Sequence, residues 1–176
     1  GSSDANDWED GDIYHVGDYG KIELQMDWYS MVEIARKEFH SSNGKTATVD
    51  AAGNFRIVGG GKTFITARGW DAAGNECFSA SYELFAAGDM SKTRLQTTTV
   101  KMYQVGWNYD DEGLKVRIPL VDAPDLTYYT MSYRVADSSV WLTCQLDSTK
   151  KELIIQGNYT GKTTLTVDLN GKIFTI

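Results

Sequence analysis

The chain has 176 residues and a net charge of -7, from 17 Lys and Arg against 24 Asp and Glu. Its basic residues form no stripe that would follow a phosphate backbone, so we expect no nucleic-acid partner. No apolar run approaches the length of about 18 residues that crosses a bilayer. The two cysteines, Cys77 and Cys144, occupy non-equivalent places in the two halves. This argues against a disulfide framework and favours ordinary buried or half-buried thiols.

The first predicted element is an acidic leader over residues 1–12. It carries five acidic side chains and no basic one, and Trp8 is its single large apolar group. Such a segment buries too little surface to fold alone, so we predict a disordered, solvated leader. A calcium loop is the competing interpretation, but the glycine and the distal glutamate of an EF-hand do not follow Asp4 at the required spacing.

In the first half, alternation of apolar and polar side chains predicts short strands. These cover residues 21–27, 46–49, 55–58, 61–67 and 77–85. Asn43-Gly44 predicts a tight hairpin with positive φ angles, and the pentapeptide Asp-Ala-Ala-Gly-Asn predicts hairpin turns at 50–54 and 71–75. Residues 28–40 fit either a helix capped by Asp27 or a strand between sheets. We favour the strand because short strands surround this span.

Residues 88–95 lose the alternation and are predicted to form a short linker to the second half. In that half the predicted strands cover residues 100–105, 114–118, 128–135, 140–146, 152–156, 165–169 and 173–176. Pro119 and Pro124 are predicted to bracket a break in the sheet, because proline donates no ladder hydrogen bond. The whole pattern predicts an all-β chain of two β-sandwiches.

A seven-residue stretch occurs twice, at residues 61–67 and 161–167, and both copies read Gly-Lys-Thr-x-[Ile/Leu]-Thr-[Ala/Val]. The duplication predicts two similar domains, each with this stretch as its penultimate strand. Within the stretch we predict that Ile65 and Leu165 point inward and that the threonines point outward. A nucleotide-binding P-loop is excluded, because Arg56 stands where its first glycine belongs and an alternating strand follows.

Several short motifs resemble those of bacterial immunoglobulin-like domains of the Big type. In the first half they are Phe39-His40-Ser41-Ser42-Asn43, Ala47-Thr48-Val49-Asp50, Gly53 and the first copy of the repeat. The family typically shows Trp-x-Ser-Ser-Asn, Ala-x-Val-Asp, Gly and Gly-x-x-x-Ile-Thr-Ala, so Phe39 replaces a tryptophan. In the second half, Ser138-Ser139-Val140, the second copy of the repeat and Asn170-Gly171-Lys172 look like the same domain.

This resemblance implies two tandem immunoglobulin-like β-sandwich domains, over residues 13–87 and 96–176. Domains of this family serve exported and surface proteins as spacers or as modules for adhesion or sugar binding, usually without catalysis. The resemblance therefore implies no enzyme activity, no cofactor, no metal and no fixed set of ligand residues. The expected partner is a protein or a glycan at the cell surface.

The leader is similar in composition to the acidic segment that follows the acylated cysteine of exported lipoproteins in Bacteroidetes-type bacteria. On that resemblance we expect an exported protein that a lipid anchor ahead of Ser2 holds at the outer membrane, facing the periplasm or the cell surface. Its expected function is non-catalytic adhesion or display.

Loop aromatics are the candidate ligand contacts, because sugars stack their apolar faces on aromatic rings. Trp107, Tyr109 and Asp110 form one such group, and Trp70 belongs to a smaller one. In the competing interpretation, Trp70 or Trp107 folds back to cap the end of a sandwich. The sequence has no serine-hydrolase elbow, no His-Glu-x-x-His and no zinc-ligand spacing. The alternative functions are a glycan-binding surface protein and an accessory module of a glycoside hydrolase, an enzyme that needs two facing carboxylates.

Overall fold

The computed structural model describes residues 13–23, 33–102, 115–157 and 162–176. Every regular element within these ranges is a β-strand, which confirms the all-β prediction. The chain divides into two compact units, unit 1 over Gly1–Gly88 and unit 2 over Asp89–Ile176. The predicted leader over residues 1–12 lies outside the described residues.

The described part of unit 1 contains seven strands in two sheets. They are β1 (Ile13–Tyr14), β2 (Tyr19–Lys21), β3 (Arg36–Ser41), β4 (Ala47–Val49), β5 (Asn54–Ile57), β6 (Gly61–Trp70) and β7 (Glu76–Ala86). One sheet has the order β1-β7-β6-β3 and the other has the order β2-β5-β4. The strands pair antiparallel except β1 and β7, which are parallel. Side chains from both sheets meet in one hydrophobic cluster, which contains Ile57 of β5 and Ile65 of β6.

The described part of unit 2 also contains seven strands. They are β8 (Arg94–Leu95), β9 (Lys115–Val121), β10 (Met131–Val135), β11 (Leu142–Asp147), β12 (Glu152–Gly157), β13 (Leu165–Leu169) and β14 (Lys172–Thr175). The sheet orders are β11-β12-β9-β8 and β10-β13-β14, with antiparallel pairing throughout. Both sheets again contribute to one cluster, which includes Ile118 of β9, Leu153 of β12 and Val167 of β13. Cys144 lies in this cluster, and burial raises the pKa of its thiol to about 11.

The two units share one connectivity. Strands β2 to β7 of unit 1 correspond in order to β9 to β14 of unit 2, so β3-β6-β7 matches β10-β13-β14 and β2-β5-β4 matches β9-β12-β11. The first strand differs, because β1 pairs with β7 whereas β8 pairs with β9. The duplicated stretch forms β6 in unit 1 and reaches β13 in unit 2, each the strand before the last.

The threonine that follows Gly-Lys in the repeat accepts the same kind of hydrogen bond in both units. The backbone N–H of Asn43 donates to Thr63 Oγ1 over 3.0 Å, and that of Asp137 donates to Thr163 Oγ1 over 2.9 Å. Asn43 and Asp137 also accept, through Oδ1, the N–H two residues later. Asp137 is therefore the structural counterpart of Asn43 in unit 2.

Thr63 corrects the prediction that the threonines of the repeat point outward. Its side chain is fully buried, as are those of Ile65 and Leu165, which point inward as predicted. Side chains two positions apart share one face of a strand, so Thr63 lies on the same buried face as Ile65. Its hydroxyl is satisfied there by the Ser41 hydroxyl at 2.9 Å and by the Asn43 N–H.

The structure revises the predictions between β2 and β3. β2 ends at Lys21 and β3 begins at Arg36, and the described residues between them form no strand. The strand predicted over 21–27 is therefore absent from its described part beyond Lys21, while residues 24–32 lie outside the described ranges. In the 28–40 span the strand is confirmed from Arg36 onward, and the helix interpretation is wrong there.

The prediction of a hairpin at Asn43-Gly44 is wrong. The strands on either side, β3 and β4, lie in different sheets, and neither residue has a positive φ. Instead, the carbonyl of Asn43 accepts the N–H groups of Thr46 and Ala47, as in a single helical turn. Asn170-Gly171 between β13 and β14 does form a two-residue hairpin turn, with φ angles of 54° and 87°.

β9 continues through Pro119 and ends at Val121, so the predicted break is found between Pro119 and Pro124 but does not begin at Pro119. Its carbonyl accepts the Gln96 N–H over 2.9 Å, just beyond the two-residue strand β8. A residue in an antiparallel strand directs its N–H and its C=O toward the same neighbour. The missing donor therefore falls beside the end of β8 and leaves the ladder with β12 intact. The strand predicted over 100–105 is also not found at 100–102, and its remaining residues lie outside the described ranges.

The segment predicted as a linker, residues 88–95, packs into unit 2 beyond its first residue. Met90 is buried in the hydrophobic cluster of that unit. The ammonium group of Lys172 on β14 donates to the backbone carbonyls of Met90, Ser91 and Thr93, at 3.0, 3.4 and 2.6 Å. These contacts hold the segment in place. The segment lacks strand alternation because only two of its residues, Arg94 and Leu95, belong to a strand.

Both Asp-Ala-Ala-Gly-Asn pentapeptides form the predicted hairpin turns, at 50–54 between β4 and β5 and at 71–75 between β6 and β7. In each turn, Oδ1 of the leading aspartate accepts the N–H groups two and four residues later. In the first turn Asn54 Nδ2 also donates to Asp50 Oδ2 over 2.9 Å. These donors lower the pKa of Asp50, with the Asn54 side chain contributing most.

We expect the first turn to stabilise unit 1 less as the solution becomes acidic. The pKa of Asp50 is lower in the folded state, so its contribution is present above a pH of about 4 and is lost as the pH falls through the lowered pKa. Chemical unfolding of unit 1 between neutral pH and pH of about 2.5 measures this loss. Asp50→Asn keeps the Oδ1 acceptor but does not titrate, so it should flatten the dependence; an unchanged pH dependence would contradict the assignment.

Candidate functional site

The exposed face of the β1-β7-β6-β3 sheet carries the candidate site. On β6, Ile65, Ala67 and Gly69 are buried, so the intervening Arg68 and Trp70 lie on the opposite face. The strand register places Arg36 of β3 opposite Trp70 and Glu38 opposite Arg68. We call this surface the Trp70 face. It comprises Arg36, Glu38, His40, Thr66, Arg68, Trp70 and Glu76.

Two arginines stack on the indole ring of Trp70. The guanidinium carbon of Arg36 lies 4.0 Å from the ring centroid, and that of Arg68 lies 5.1 Å from it. Both distances fall within the range of cation–π attraction. The sequence predicted Trp70 as a ring on which a sugar stacks or as a cap over the sandwich end. The structure shows a half-buried ring with two arginine cations over it on an exposed sheet face.

Each of the two arginines also forms an ion pair with a carboxylate. Arg36 Nη1 lies 2.6 Å from Glu38 Oε1. Arg68 binds Glu76 through two bonds, Nε to Oε1 at 3.1 Å and Nη2 to Oε2 at 2.6 Å. The hydrogen bonds from Arg68 lower the pKa of Glu76, and those to Glu76 raise the pKa of Arg68. These pairs are exposed and stabilise the fold little, but the two-bond geometry restricts where the Arg68 group points.

A shallow groove of about 530 Å³ adjoins the Trp70 face and follows β3. It is lined by residues 37–40 of β3, by Thr66 and Arg68 of β6, and by Ala51 of the first Asp-Ala-Ala-Gly-Asn turn. Its lining is more apolar than polar, and the ionisable side chains among the lining residues are Lys37, Glu38, His40 and Arg68.

The other candidate contacts from the sequence do not enter this site. Trp107, Tyr109 and Asp110 fall in the stretch 103–114, which lies outside the described residues. Among the four predicted contact residues, the structure describes Trp70 alone. The prediction for Trp107, Tyr109 and Asp110 stays a prediction.

Sequence analysis missed Arg36, Glu38 and Arg68. Each is an ordinary charged residue in the sequence, and nothing in the local pattern separates it from a solvated strand residue. The signal that would have found them is register, since β3 pairs with β6 so that Arg36 lies opposite Trp70. That register required β3 to be assigned as a strand, and its sequence also fitted a helix.

Other kinds of site find little support within the described ranges. No group of three or more His, Cys, Asp or Glu side chains there is arranged to hold a metal ion. Cys77 is half-buried and Cys144 is buried, and neither forms a disulfide, as predicted. The same ranges contain no helix that is long and apolar enough to cross a membrane.

Comparison of the sequence with protein-family models gave no match, and no curated protein matched it either.

Proposed function

We propose that the chain consists of two tandem immunoglobulin-like β-sandwiches and acts as a non-catalytic adhesion or display module at a bacterial cell surface. The strand order supports the fold. With β8 to β14 lettered A to G, the sheets of unit 2 run A-B-E-D and C-F-G, the arrangement of a constant-type immunoglobulin domain. Unit 1 keeps the B-E-D and C-F-G cores, but its first strand joins the second sheet beside G.

The Trp70 face is the observation that carries the functional proposal. A half-buried aromatic ring, two arginines and two carboxylates are held together on an open sheet face by stacking and ion pairs. Aromatic and arginine side chains are the groups that contribute most to binding at protein interfaces. Because the contacts among them fix their positions beforehand, a partner has fewer side chains to order when it binds. The face suits recognition of a glycan or protein surface without turnover.

Export and a lipid anchor belong to the same proposal. The acidic composition of residues 1–12 and the resemblance to surface-protein domains support them. A lipid-bearing cysteine upstream of this acidic segment in the intact gene, preceded by an apolar run, is the expected finding. An intact gene without any export signal would contradict this part of the proposal.

Replacing Trp70 by alanine tests the adhesion function. We expect binding to immobilised glycans or surface proteins to weaken about tenfold, because loss of the ring releases Arg36 and Arg68. A glycan array and a cell-surface protein array, read with labelled protein, provide the measurement. Trp141→Ala is the control, because it removes a tryptophan ring from an exposed position of unit 2.

Equal loss of binding in both variants, or unchanged binding in Trp70→Ala, would contradict a role for the Trp70 face. A parallel Trp107→Ala variant tests the predicted loop site separately. Loss of binding in that variant alone would move the proposed recognition from the Trp70 face to the 103–114 stretch.

A further inference from the structure

We propose that the open edge of β10 pairs with the same edge of a second copy of the chain, antiparallel and centred on Tyr133. This contact lies on unit 2 and is separate from the recognition proposed for the Trp70 face of unit 1. Three features of β10 support it: its unpaired backbone groups, the side chains along its edge, and the charges that the pairing brings together.

The backbone of β10 has hydrogen-bonding groups without a partner. β10 is the first strand of the sheet β10-β13-β14, so one of its sides has no neighbouring strand among the described residues. The Asn170 N–H donates to the Thr130 carbonyl and the Ala136 N–H donates to the Thr164 carbonyl, each over 2.9 Å. An antiparallel residue directs both backbone groups to the same neighbour, and successive residues alternate between neighbours. The open edge therefore carries the N–H and C=O groups of the odd-numbered residues, Met131, Tyr133 and Val135.

The corresponding strand of unit 1 is protected against such pairing. In β3, Lys37 lies opposite the buried Gly69, whereas the same position of β10 is occupied by Met131 opposite Leu169. An inward-pointing charge on an edge strand opposes the addition of another strand. β10 has no charge on this face, where Tyr133 is 41% exposed. Its edge therefore lacks the protection that β3 has.

Pairing with a second copy brings opposite charges together. A register centred on Tyr133 places Arg134 of each copy opposite Ser132 of the other, and Asp168 of β13 lies directly beyond Ser132 on the same face. The Cα atoms of Arg134 and of Asp168 in the other copy are then about 10 Å apart. Extended arginine and aspartate side chains bridge this distance, and serine is too small to separate them. The twofold symmetry of the pair forms this contact twice.

The side chains of β10 also select the second copy and the register. Arg134 is exposed and forms no hydrogen bond or ion pair with the described residues, and the second copy supplies a carboxylate for it. A register centred on Arg134 would place the two arginines opposite each other, and like charges directly opposite destabilise a strand pair. The register centred on Tyr133 avoids this and pairs Met131 with Val135, both apolar.

The contact is small, so we expect a weak dimer. Each strand contributes five residues, and one such pair buries less than the roughly 1,200 Å² at the lower limit of stable interfaces. Copies held at one surface would pair more readily than free ones, because tethering raises their effective concentration. The lipid anchor in the proposed function would provide such tethering, although the contact itself does not require it.

Sedimentation equilibrium of the full chain tests the contact. We expect a monomer–dimer equilibrium with a Kd between about 10 µM and 1 mM. Arg134→Glu should raise the Kd about tenfold, because it replaces the attraction to Asp168 by repulsion. Arg94→Glu is the matched control, since it makes the same charge change on β8, at the edge of the other sheet of unit 2. It should leave the Kd within about twofold.

A second pair of variants tests the edge itself. Met131→Lys gives β10 the inward charge that Lys37 gives β3, and it should raise the Kd about tenfold. Gln145→Lys adds the same charge to an exposed position of β11, the other edge strand of the second sheet, and should change the Kd less than about twofold.

A mixture of two variants tests the charge pairing directly. Arg134→Glu and Asp168→Lys should each associate weakly, because each brings like charges together. An equimolar mixture should form a dimer with a Kd within about threefold of the unchanged chain, because opposite charges then meet in both rows. Asp168 Oδ1 also accepts the Gly171 N–H, so thermal unfolding checks the fold of Asp168→Lys. If that variant does not fold, the comparison of Arg134→Glu with Arg94→Glu decides.

Four results would overturn the inference: a full chain that stays monomeric at about 1 mM, equal weakening by Arg134→Glu and Arg94→Glu, a mixture of folded variants no tighter than its components, or weakening by Gln145→Lys without weakening by Met131→Lys. The last would place the contact on β11. Trp70→Ala should leave dimerisation unchanged, and Met131→Lys should leave ligand binding by the Trp70 face unchanged. Failure of either proposal therefore leaves the other standing.

Discussion

Truncation of Ile65 to alanine is expected to lower the free energy of unfolding of unit 1 by about 2–5 kcal/mol. The side chain is 0% exposed and lies in the cluster between the two sheets of that unit. Its loss removes apolar contact and leaves a cavity that the closely packed strands fill only in part. Leu165→Ala, at the equivalent position of the repeat, should have a comparable effect on unit 2, where Leu165 is 2% exposed.

Denaturant unfolding followed by amide signals of β6 and β13 measures the two units separately. Ile173→Ala is the control, since this residue lies on the neighbouring strand β14 and is 57% exposed. We expect its effect to stay within about 0.5 kcal/mol, as for most surface substitutions. If Ile65→Ala or Leu165→Ala changed stability no more than Ile173→Ala does, the duplicated strand would not be the centre of its unit.

Replacement of Thr63 by valine is expected to cost unit 1 about 2 kcal/mol, although the side chain keeps its shape. Thr63 is 0% exposed, and its hydroxyl accepts the Asn43 N–H and contacts the Ser41 hydroxyl. Valine leaves both groups without this partner at the junction of β3 and β6. The loss of an acceptor for buried donors costs more than the hydrogen bond itself contributes.

Valine substitutions at two further threonines serve as comparisons for Thr63→Val. Thr163→Val removes the corresponding bond to the Asp137 N–H in a more exposed setting, so we expect a smaller cost of about 1 kcal/mol in unit 2. Thr66→Val lies on the opposite face of β6 and removes an exposed bond to Ser81, at little cost. The same denaturant measurement applies. A cost for Thr63→Val no larger than for Thr66→Val would show that the buried hydroxyl network adds nothing to stability.

Periodicity predicted most of the strands because the physical cause of a strand pattern is local. Side chains of a strand alternate between two faces, and one face of β6 or β13 is buried, so the alternation appears in the residues themselves. The two Asp-Ala-Ala-Gly-Asn turns were predictable for a similar reason. The aspartate side chain bonds to backbone N–H groups within four residues, and both partners lie in the same pentapeptide.

The wrong predictions share a different cause. Asn43-Gly44 has the sequence of a hairpin turn, but its neighbours β3 and β4 join different sheets. Pro119 is tolerated in β9 because its missing N–H falls beside the end of a two-residue strand. Residues 88–95 pack into unit 2 through Lys172, which follows them by about eighty positions in the chain. In each case the local structure is decided by contacts with residues that are distant in sequence.

In the candidate site, too, the local sequence indicates some features and distant residues decide the others. The sequence indicated Trp70, because an aromatic residue beside a turn is visible in the local pattern. It did not indicate that Arg36 and Arg68 would stack on its ring or that Glu76 would pair with Arg68, since those contacts depend on the register of three strands. The groove along β3 likewise requires Ala51 from the other sheet.

The sequence by itself determined the all-β class and the duplicated strand with its inward Ile65 and Leu165, because hydrophobic periodicity and residue chemistry act over a few positions. The tertiary structure alone decided that Thr63 is buried, that the predicted linker packs into unit 2, and that cations and carboxylates gather around Trp70. These features depend on which strands become neighbours, and that choice is made by long-range packing of the whole unit.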